Sequence, residues 1–585
     1  MSEAAAADEP LAVVVESRWE RRARIFGPVV IAACALLAYA NSFKAPFVFD
    51  GHNYLEENPQ IRQLWPIGPL LEHVKSRPVG YVTFALNYVI GERWGKGGYH
   101  LPSWHATNLF IHTIGAWALF GIARRSLQTW RLQARYGVVA ARLALAIAVL
   151  WVVHPLCTQS VTYLYQRLES LMGMFYLCTL YFYLRYAVGG SVAWAVASIT
   201  SCLLCCLTKE VGVTAPLMVL WYDRAFLAHS WDDIFDGNKT EEQRKVHTGA
   251  SHRGAVIALL WLTLLVPATL MMSLHDSKEY KNAGILDTER MPVRDYVRTQ
   301  PEIVLHYLRL AVVPWGLNID YAWQPTPFAL LRHGPIFLAQ AVLIGLMFVA
   351  VWKRPPLGFV GAWWFVILAP TSSIAPIIDL AFEHRTYLSL IAPVTLLVMG
   401  AYELLGLLGR RFAASAATVS AWRLALCVVV VSILTTLTLL RNYDYRSELA
   451  LWRDVRFKSP ENSRAHYNYG VYLQIEGTDE TVPEAIREYK EALKLVPGYP
   501  GAHLNIAALA AWKGRYEEAV DEYRAELVNQ PTLVQAIVGL ADALVHLNRH
   551  DEARPYIEQA LQLDPNHAEA KSLRDQLPAT VPTPT

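Results

Sequence analysis

The sequence predicts an all-α protein in two parts, a polytopic membrane helix bundle followed by a helical-repeat solenoid. Apolar residues make up 54% of the 585 residues and charged residues only 17%, below the quarter that is typical of soluble domains. The apolar residues occur in runs of membrane-spanning length, whereas the polar C-terminal part repeats with a fixed period. We therefore expect a membrane domain over 25–440 and a repeat domain over 446–577.

The membrane part contains eleven apolar segments that reach or approach the roughly 20 residues needed to cross about 30 Å of hydrocarbon. Several of them are short or contain proline, so we expect about eleven crossings. They are 25–41, 102–122, 137–153, 169–187, 192–207, 212–228, 254–273, 335–352, 357–371, 386–408 and 421–440.

The distribution of basic residues predicts the orientation, because Lys and Arg collect on the cytoplasmic side of membrane proteins. Residues 1–24 form a cytoplasmic tail on this criterion, and we expect the first apolar run to be retained and not cleaved. Alternation then leaves the loops 42–101 and 274–334 and the repeat domain outside. It also puts every dense basic cluster inside: Arg18/Arg21/Arg22/Arg24, Arg124/Arg125/Arg131/Arg135, Arg224/Lys239/Arg244/Lys245/Arg253, Lys353/Arg354 and Arg410/Arg411.

Two segments in the outer loops, one apolar and one amphipathic, are too short to cross the membrane. Segment 79–90 has polar flanks, and segment 301–313 is amphipathic. Both patterns favour helices that lie in the membrane interface. Re-entrant helices buried in protein are the alternative.

The repeat domain is marked by Pro497, Pro531 and Pro565, which are 34 residues apart. This is the period of the tetratricopeptide repeat. Alanines recur in the same register, at Ala507/Ala541 and Ala519/Ala553, where helices must approach closely. We expect about three repeats and a disordered tail over 578–585. The array either serves packing alone or offers a concave surface to a peptide or protein.

Several classes of function are disfavoured by composition and motifs. The net charge of +2 argues against a nucleic-acid partner. Residues Gly95-Lys96-Gly97-Gly98 lack the spacing and the hydroxyl residue of a P-loop. Cys202, Cys205 and Cys206 lie in an apolar run and are expected to pack as small hydrophobes. We expect no metal ion and no cofactor.

Polar groups gather on the predicted outer side, next to the ends of apolar segments. Each of the five alone has a structural explanation, such as an ion pair or a helix end at the interface. Together they suit transfer from an anionic leaving group, since a carboxylate accepts a hydroxyl proton and cations stabilise a departing phosphate. The groups are Asp50 with Glu56 and Glu57, Arg77-Pro78, Gln166-Arg167-Leu168-Glu169, Lys209-Glu210, and Glu383-His384-Arg385.

The order of motifs over residues 40–400, followed by the repeats, resembles a known family. It is similar to membrane glycosyltransferases of the C-type fold with C-terminal tetratricopeptide repeats, among them the animal transmembrane and tetratricopeptide repeat-containing O-mannosyltransferases and bacterial relatives. The stretches that carry the resemblance are FVFDGHNYLEENPQI, RPVGYVTFALNYVIG, GYHLPSWHATNLFIH, HPLCTQSVTYLYQRLESLMGMFYL, LTKEVGVTAPLMVLWYDR, YLRLAVVPWGLNIDY and APTSSIAPIIDLAFEHRTYLSL.

The resemblance implies a polyprenyl-phosphate-linked sugar as donor, a protein or glycan hydroxyl as acceptor and an active site on the outer face. A bacterial inner membrane with periplasmic repeats is the implied location. The acidic residue proposed as the base falls on Asp50, although Gly51 replaces the second acid usual in the family. By position, Arg385, His384, Arg167 and Lys209 are expected to bind the donor phosphate. Glu56, Glu57, Glu169, Glu210 and Glu383 are expected to support the site.

A non-catalytic role is the alternative to a transferase. In that reading the helices anchor the chain in the membrane, and the tetratricopeptide repeats recruit envelope proteins as a scaffold. A transporter is disfavoured because the charged groups gather at one face and not at the bilayer midplane.

Overall fold

The computed structural model describes residues 17–73, 77–94, 97–235, 252–274, 291–325, 327, 329–478 and 480–577. Every regular element in these ranges is helical, as the sequence predicts. The chain divides into two compact units. The first comprises Met1–Ile319 and Trp323–Arg446, and the second comprises Asp320–Ala322 and Ser447–Thr585.

The first unit holds eighteen described α-helices, several of which are joined by single turns of 3₁₀- or π-helix. In chain order they are α1 Arg18–Ala38, α2 Ile67–His73, α3 Pro78–Glu92, α4 Leu101–Leu127, α5 Gln133–Tyr136, α6 Ala140–Val152, α7 Thr158–Val161, α8 Arg167–Gly189, α9 Val192–Cys206, α10 Ala215–Tyr222, α11 Asp232–Phe235, α12 Arg253–Leu262, α13 Leu265–Leu274, α14 Val293–Val312, α15 Leu330–Lys353, α16 Pro355–Leu368, α17 Ile391–Arg411 and α18 Ala416–Asp444.

Seven helical segments among the described residues are long and apolar enough to cross a membrane. They lie in seven of the eleven predicted segments. The other four predicted segments fall on α1, α9, α10 and α16, which are shorter or more charged, so the count of eleven stays a prediction. The seven are Leu101–Leu127, Gln133–Val152, Leu164–Gly189, Arg253–Leu270, Leu330–Lys353, Ile391–Arg411 and Ala416–Asp444.

Helix α1 begins earlier than the apolar run suggests. Its first turn is capped by the Ser17 hydroxyl, which accepts a hydrogen bond from the Glu20 amide at 3.2 Å. The arginines expected in a tail are therefore helical, while residues 1–16 lie outside the described ranges. The Glu20 carboxylate is buried, accepts from the Ala141 amide and lies 3.3 Å from Arg142 Nε. These contacts join the start of α1 to the start of α6.

Two predicted segments are interrupted helices. Segment 212–228 consists of a 3₁₀ turn, α10 and a π turn over Asp223–Leu227, in which buried Asp223 pairs with Arg253 at 3.1 Å. Segment 254–273 breaks between α12 and α13. Pro267 explains this break, because proline lacks the N–H that would bond the Thr263 carbonyl and its ring clashes with that carbonyl.

The two short segments of the outer loops are helices. Segment 79–90 lies in α3, and segment 301–313 lies in α14, which starts eight residues earlier, at Val293, and continues through Pro301. Part of the loop 274–334 lies outside the described residues. The interfacial position of both helices stays a prediction.

The second unit is a stack of helix pairs. Three pairs, α20–α21, α22–α23 and α24–α25, follow α19 and precede α26. The alanines at the predicted close-contact positions have no solvent exposure, which explains why small residues recur there. The bounds are α19 Glu448–Lys458, α20 Ser463–Glu476, α21 Thr481–Leu495, α22 Ala502–Trp512, α23 Tyr516–Asn529, α24 Val534–His546, α25 His550–Leu563 and α26 Ala568–Gln576. The predicted tail 578–585 lies outside the described residues.

Candidate active site

Asp50 lies in the loop after α1 and is half-buried. The residue before it, Phe49, has a φ of 51°, a left-handed conformation that is unusual for a bulky side chain. The Asp50 amide donates to the Tyr163 hydroxyl at 3.0 Å. The loop is therefore held in a strained turn that is tied to the segment before α8, a combination often found at functional sites.

Gly51, which stands where a second acid is usual in the resembling family, has an ordinary helical φ of −61°. A Cβ added there would lie 3.3 Å from the Cβ of Phe47, which is buried against Tyr99 and Trp104. A larger residue at 51 would require Phe47 to shift. The shift needed is a few tenths of an ångström, so the packing disfavours a side chain at 51 without forbidding it.

Two tyrosines of the segment before α8 pack against the loop that carries Asp50. The Tyr163 ring lies edge-on to Phe49, with the ring centroids 6.3 Å apart, and the Tyr165 ring stacks on Tyr54 at 4.9 Å. Burial raises the pKa of Tyr163 well above its ordinary value, and the Asp50 charge raises it further. The two tyrosines therefore help to fix the loop around Asp50.

Arg77 forms a forked ion pair with Glu210. Its Nε and Nη2 each donate to Glu210 Oε1 at 3.0 Å, and Nη2 also reaches Oε2 at 3.3 Å. Burial raises the pKa of Glu210, but the charges of Arg77 and Lys209 outweigh it and bring the pKa below its ordinary value. The Arg77 side chain keeps 20% exposure, and its Nη1 makes none of the hydrogen bonds to Glu210.

Lys209, next to Glu210 in the chain, is buried in an ion pair of its own. Its Nζ lies 2.7 Å from Glu169 Oε2 and donates to Gln166 Oε1 at 3.4 Å. The predicted polar groups at 166–169 and 209–210 therefore meet in the fold.

The Glu383-His384-Arg385 turn is organised by Gln159. The Gln159 side-chain amide donates to Glu383 Oε2 at 3.3 Å, and its oxygen lies 3.1 Å from both the amide and Nδ1 of His384. Glu383 also accepts from the Asn318 amide and has no solvent exposure. This residue is a structural acceptor inside the fold and does not face solvent.

His384 is surrounded by positive charge. Burial lowers the pKa of His384 well below its ordinary value, and Lys209, Arg385 and Arg77 lower it further. A histidine in this environment is neutral at pH 7 and cannot serve as a cation for phosphate.

Arg385 holds the loop that precedes it. Its Nη2 donates to the Asp379 carbonyl at 2.7 Å and its Nη1 to the Leu380 carbonyl at 2.9 Å. The charge also acts on Tyr296 and Tyr307 of α14. Arg385 is thus a buried cation beside the cluster, and its hydrogen bonds shape the loop.

Arg167 differs from the other predicted phosphate ligands because it is fully enclosed. Its Nε donates to Asn108 Oδ1 at 2.5 Å, and its Nη atoms donate to the carbonyls of Thr83 and Trp104 at 3.1 and 3.2 Å. The guanidinium also lies over the rings of Phe84 and Trp104. With no solvent exposure, it is placed to join α3, α4 and α8 and not to meet a ligand.

The two acids predicted to assist Asp50 have different positions. Glu56 contacts His52 Nδ1 one helical turn earlier, and its side chain is partly exposed. Glu57 is exposed.

The structure thus joins some of the predicted groups by direct contacts. Lys209 pairs with Glu169, and Arg77 pairs with Glu210, the neighbour of Lys209 in the chain. Sequence analysis did not select Gln159, Tyr163 or Asn318 as site residues. A signal was present, because Gln159 and Tyr163 are polar groups inside the motif HPLCTQSVTYLYQRLES and Asn318 lies in YLRLAVVPWGLNIDY. Among the described residues, no group of three or more His, Cys, Asp or Glu is arranged to hold a metal ion.

Comparison with known proteins identifies relatives over most of the chain. Human protein O-mannosyl-transferase TMTC4 is 24% identical over 515 residues, which cover 79% of this chain and 65% of that protein. Human protein O-mannosyl-transferase TMTC3 is 22% identical over 637 residues, covering 92% and 64%. The chain is similar to protein O-mannosyl-transferases. The resemblance inferred from its motifs is therefore confirmed.

A third relative, protein O-mannosyl-transferase F38B6.6 of Caenorhabditis elegans, is 22% identical over 494 residues, 80% of this chain and 63% of that protein. The chain spans just under two thirds of the length of these three relatives. Two tetratricopeptide repeat models match residues 481–533 and 534–567. The predicted repeats are thus confirmed, and the chain is a multi-pass membrane protein with a C-terminal tetratricopeptide array.

Proposed function

We propose that this protein is a membrane glycosyltransferase. It moves a sugar from a polyprenyl-phosphate-linked donor to a hydroxyl of a protein or glycan acceptor on the outer face of the membrane. A bacterial inner membrane with the repeats on the periplasmic side is the proposed location. The observation that carries the proposal is the presence, in one predicted outer loop, of a half-buried carboxylate, Asp50, whose backbone is fixed by Tyr163, and a partly exposed cation, Arg77, which is fixed by Glu210.

Asp50 is proposed as the general base. Its backbone is fixed by the hydrogen bond to Tyr163 and by the strained turn at Phe49. A half-buried carboxylate held in this way can meet an acceptor hydroxyl with little reorganisation. Residue 51 is a glycine and supplies no second acid beside Asp50.

Arg77 and Lys209 are proposed to stabilise the departing phosphate. Arg77 is the more accessible of the two, and the Nη1 that it does not use on Glu210 can donate to a phosphate oxygen. Lys209, which neighbours the Arg77 partner Glu210 in the chain, adds a second positive charge. Arg385 supports the site through the loop that it holds, and neutral His384 contributes packing and hydrogen bonding.

The proposed reaction is a displacement at the anomeric carbon of the donor sugar. The acceptor oxygen forms a bond to that carbon, and its proton passes to the Asp50 carboxylate. The bond between the anomeric carbon and the phosphate oxygen breaks, and polyprenyl phosphate leaves with the electron pair. Positive charge near the leaving oxygen lowers the barrier, because negative charge develops there in the transition state.

The test is transfer of a labelled hexose from a polyprenyl phosphate by the full chain in membranes. We expect Asp50→Asn to abolish transfer and Arg77→Gln to reduce it strongly, with both proteins inserted at the wild-type level. Glu92→Gln is the matched control, because Glu92 is an exposed acid of the same loop. Full activity of Asp50→Asn would reject Asp50 as the base.

The same assay separates the transferase from a membrane-anchored scaffold. A scaffold requires its repeats alone, so a chain truncated after residue 446 would lose its function while Asp50 and Arg77 tolerate substitution. A transferase depends on both side chains. The repeats are then proposed to hold a protein or glycan acceptor, and truncation would lower transfer to large acceptors more than to short ones.

A further inference from the structure

The first helix pair of the repeat array, α20–α21, contains a buried histidine that lies between two hydrogen-bond acceptors. His466 of α20 is 8% exposed, and Glu488 of α21 is 5% exposed. The Nδ1 atom of His466 lies 2.6 Å from Glu488 Oε2, and its Nε2 atom lies 2.9 Å from the Pro460 carbonyl. Because a carbonyl oxygen can only accept, Nε2 carries a proton and donates it to Pro460.

The other ring nitrogen decides the charge of His466. An ionised carboxylate also only accepts, so Nδ1 needs a proton of its own to form a hydrogen bond with Glu488. An imidazolium makes both hydrogen bonds at once, whereas a neutral imidazole donates only one. The geometry therefore favours the charged form of His466 and links the packing of α20 on α21 to its protonation.

Three helices meet at the Glu488 carboxylate. Its Oε1 accepts a hydrogen bond from Arg456 Nη1 of α19 at 2.9 Å, while its Oε2 faces His466 of α20. Glu488 itself belongs to α21, so one carboxylate joins all three helices. The contact with His466 is the part of this junction that holds α20.

Two further charged groups near His466 have partners of their own. On α21, Lys494 lowers the pKa of Glu491, and the charge of His466 lowers it further. Arg464, two residues before His466, pairs with Asp320 of the segment Asp320–Ala322 at 2.7 Å. Neither group contacts the His466 ring as Glu488 does, so the response of α20 to protonation depends on the Glu488 contact.

The same type of contact recurs in the second helix pair and not in the third. His503 Nδ1 of α22 lies 2.5 Å from Glu522 Oε2 of α23, and Glu522 follows Glu488 by one repeat of 34 residues. Both histidines lie in the first turn of their helix. In the third pair, α24–α25, the residues 34 positions further along are Ile537 and Tyr556. The third pair is therefore an internal reference that lacks this contact.

The pKa of His466 gives the direction of the response. Burial lowers the pKa of His466, but the hydrogen bonds to Glu488 and to the Pro460 carbonyl outweigh it and raise the pKa above its ordinary value of 6.5. A group with a raised pKa in the folded state stabilises the fold fully below its ordinary pKa, and this stability is lost as the pH rises through the folded pKa. Acid conditions therefore hold the first helix pair together, and alkaline conditions loosen it.

We propose that His466 and Glu488 form a pH-sensitive latch in the first helix pair of the array. The protonated latch joins α19, α20 and α21, and loss of the His466 proton opens it. Each pair in a stack of repeats contacts only its neighbours, so the opening is local and leaves α24–α25 folded. The latch acts whether or not the chain transfers a sugar.

The test is hydrogen exchange with mass spectrometry of the full chain in detergent, at about pH 6 and about pH 9, on either side of the ordinary histidine pKa. Protection factors, which are corrected for the effect of pH on intrinsic exchange, are compared between α20–α21 and α24–α25. We expect the protection of α20–α21 to fall about tenfold at the higher pH, the contribution of a hydrogen bond to a charged group, while α24–α25 stays unchanged. Unchanged protection of α20–α21, or an equal fall in both pairs, would overturn the latch.

A variant at position 488 separates the latch from other titrating groups. In Glu488→Gln the side-chain amide donates to Nδ1 of a neutral His466, and Nε2 keeps its hydrogen bond to Pro460, so the contacts are made at both pH values. We expect this variant to lose the pH response. Glu569→Gln, which changes an exposed acid of α26, should keep it. A response that persists in Glu488→Gln, or is lost in both variants, would overturn the assignment to His466. The comparison within the wild-type chain stands even if Glu488→Gln fails to fold.

Discussion

At the residue scale, the candidate site is built from charges that already have partners. Lys209 pairs with Glu169, Arg77 with Glu210, and Arg385 with backbone carbonyls. Burying such pairs gives little net stability, because desolvation offsets the Coulomb attraction. Their value lies in fixing the position of each cation, so that a phosphate would meet them without reorganisation.

Arg167 is expected to act in folding and not in donor binding. We predict that Arg167→Lys lowers the free energy of unfolding by about 2–4 kcal/mol, because an ammonium cannot reach the three acceptors that the guanidinium fork satisfies. Thermal unfolding in detergent measures this, with exposed Arg411→Lys as the control. Wild-type stability with a raised KM for the donor would restore a role in phosphate binding.

Residue roles were the hardest feature to predict from the sequence. The motifs predict that Asp50, Lys209 and the 383–385 turn lie on one face as a group, and this stays a prediction. Whether a cation is open or enclosed depends on neighbours that are distant in sequence. Arg167 is enclosed by Asn108 and the Trp104 carbonyl, about 60 positions away, and no local pattern reveals this.

At the element scale, the apolar runs predicted where helices form but not where they break. Length and hydropathy located α4, α8 and α18 because these carry no internal proline and remain apolar throughout. The break at Thr263 follows from Pro267. By contrast, the predicted segment 301–313 begins at Pro301, whereas α14 starts at Val293 and continues through that proline.

The close packing of α8 around Gly173 leads to a testable prediction. A Cβ at Gly173 would lie 2.6 Å from Cε1 of Tyr387. Tyr387 cannot move aside easily, because its hydroxyl bonds His112 Nδ1 at 2.7 Å and its carbonyl accepts from Trp151 Nε1 at 3.0 Å. We predict that Gly173→Ala destabilises the protein by about 1–3 kcal/mol through overpacking.

The matched control for Gly173 is Gly345→Ala in α15, where a Cβ would have no atom within 4 Å. Since alanine favours a helix over glycine by up to about 1 kcal/mol, this variant should unfold at or above the wild-type temperature. Both can be compared by thermal unfolding in one detergent. Equal behaviour of the two variants would contradict the packing account.

At the scale of the whole molecule, the first unit carries different chemistry at its two ends. One end of α4 is tied to the loop that carries Asp50, since His105 Nε2 lies 2.9 Å from the Ala45 carbonyl, and the other end carries Arg124 and Arg125. This difference between the two ends agrees with the distribution of Lys and Arg from which the orientation of the bundle is predicted.

The orientation itself rests on an odd number of crossings. The consecutive short helices α9 and α10 can both cross, or can enter and return together, and the count stays odd in either case. Failure of α1 or α16 alone to cross would make it even. The side of the membrane on which each loop lies is therefore a more specific prediction than the number of helices. It decides whether Asp50 and the repeats share one compartment.

We predict that single cysteines at Glu57 and Lys513 react with an impermeant maleimide added outside intact cells, while a cysteine at Arg411 reacts only after permeabilisation. All three positions are exposed, and each of the seven native cysteines is buried or half-buried, so background labelling should be low. The unmodified chain provides that background. Labelling of Arg411→Cys from outside would reverse the orientation. If Glu57→Cys is labelled from outside and Lys513→Cys is not, the two positions lie on opposite sides of the membrane. The number of crossings would then be even, and the repeats and Asp50 would lie in different compartments.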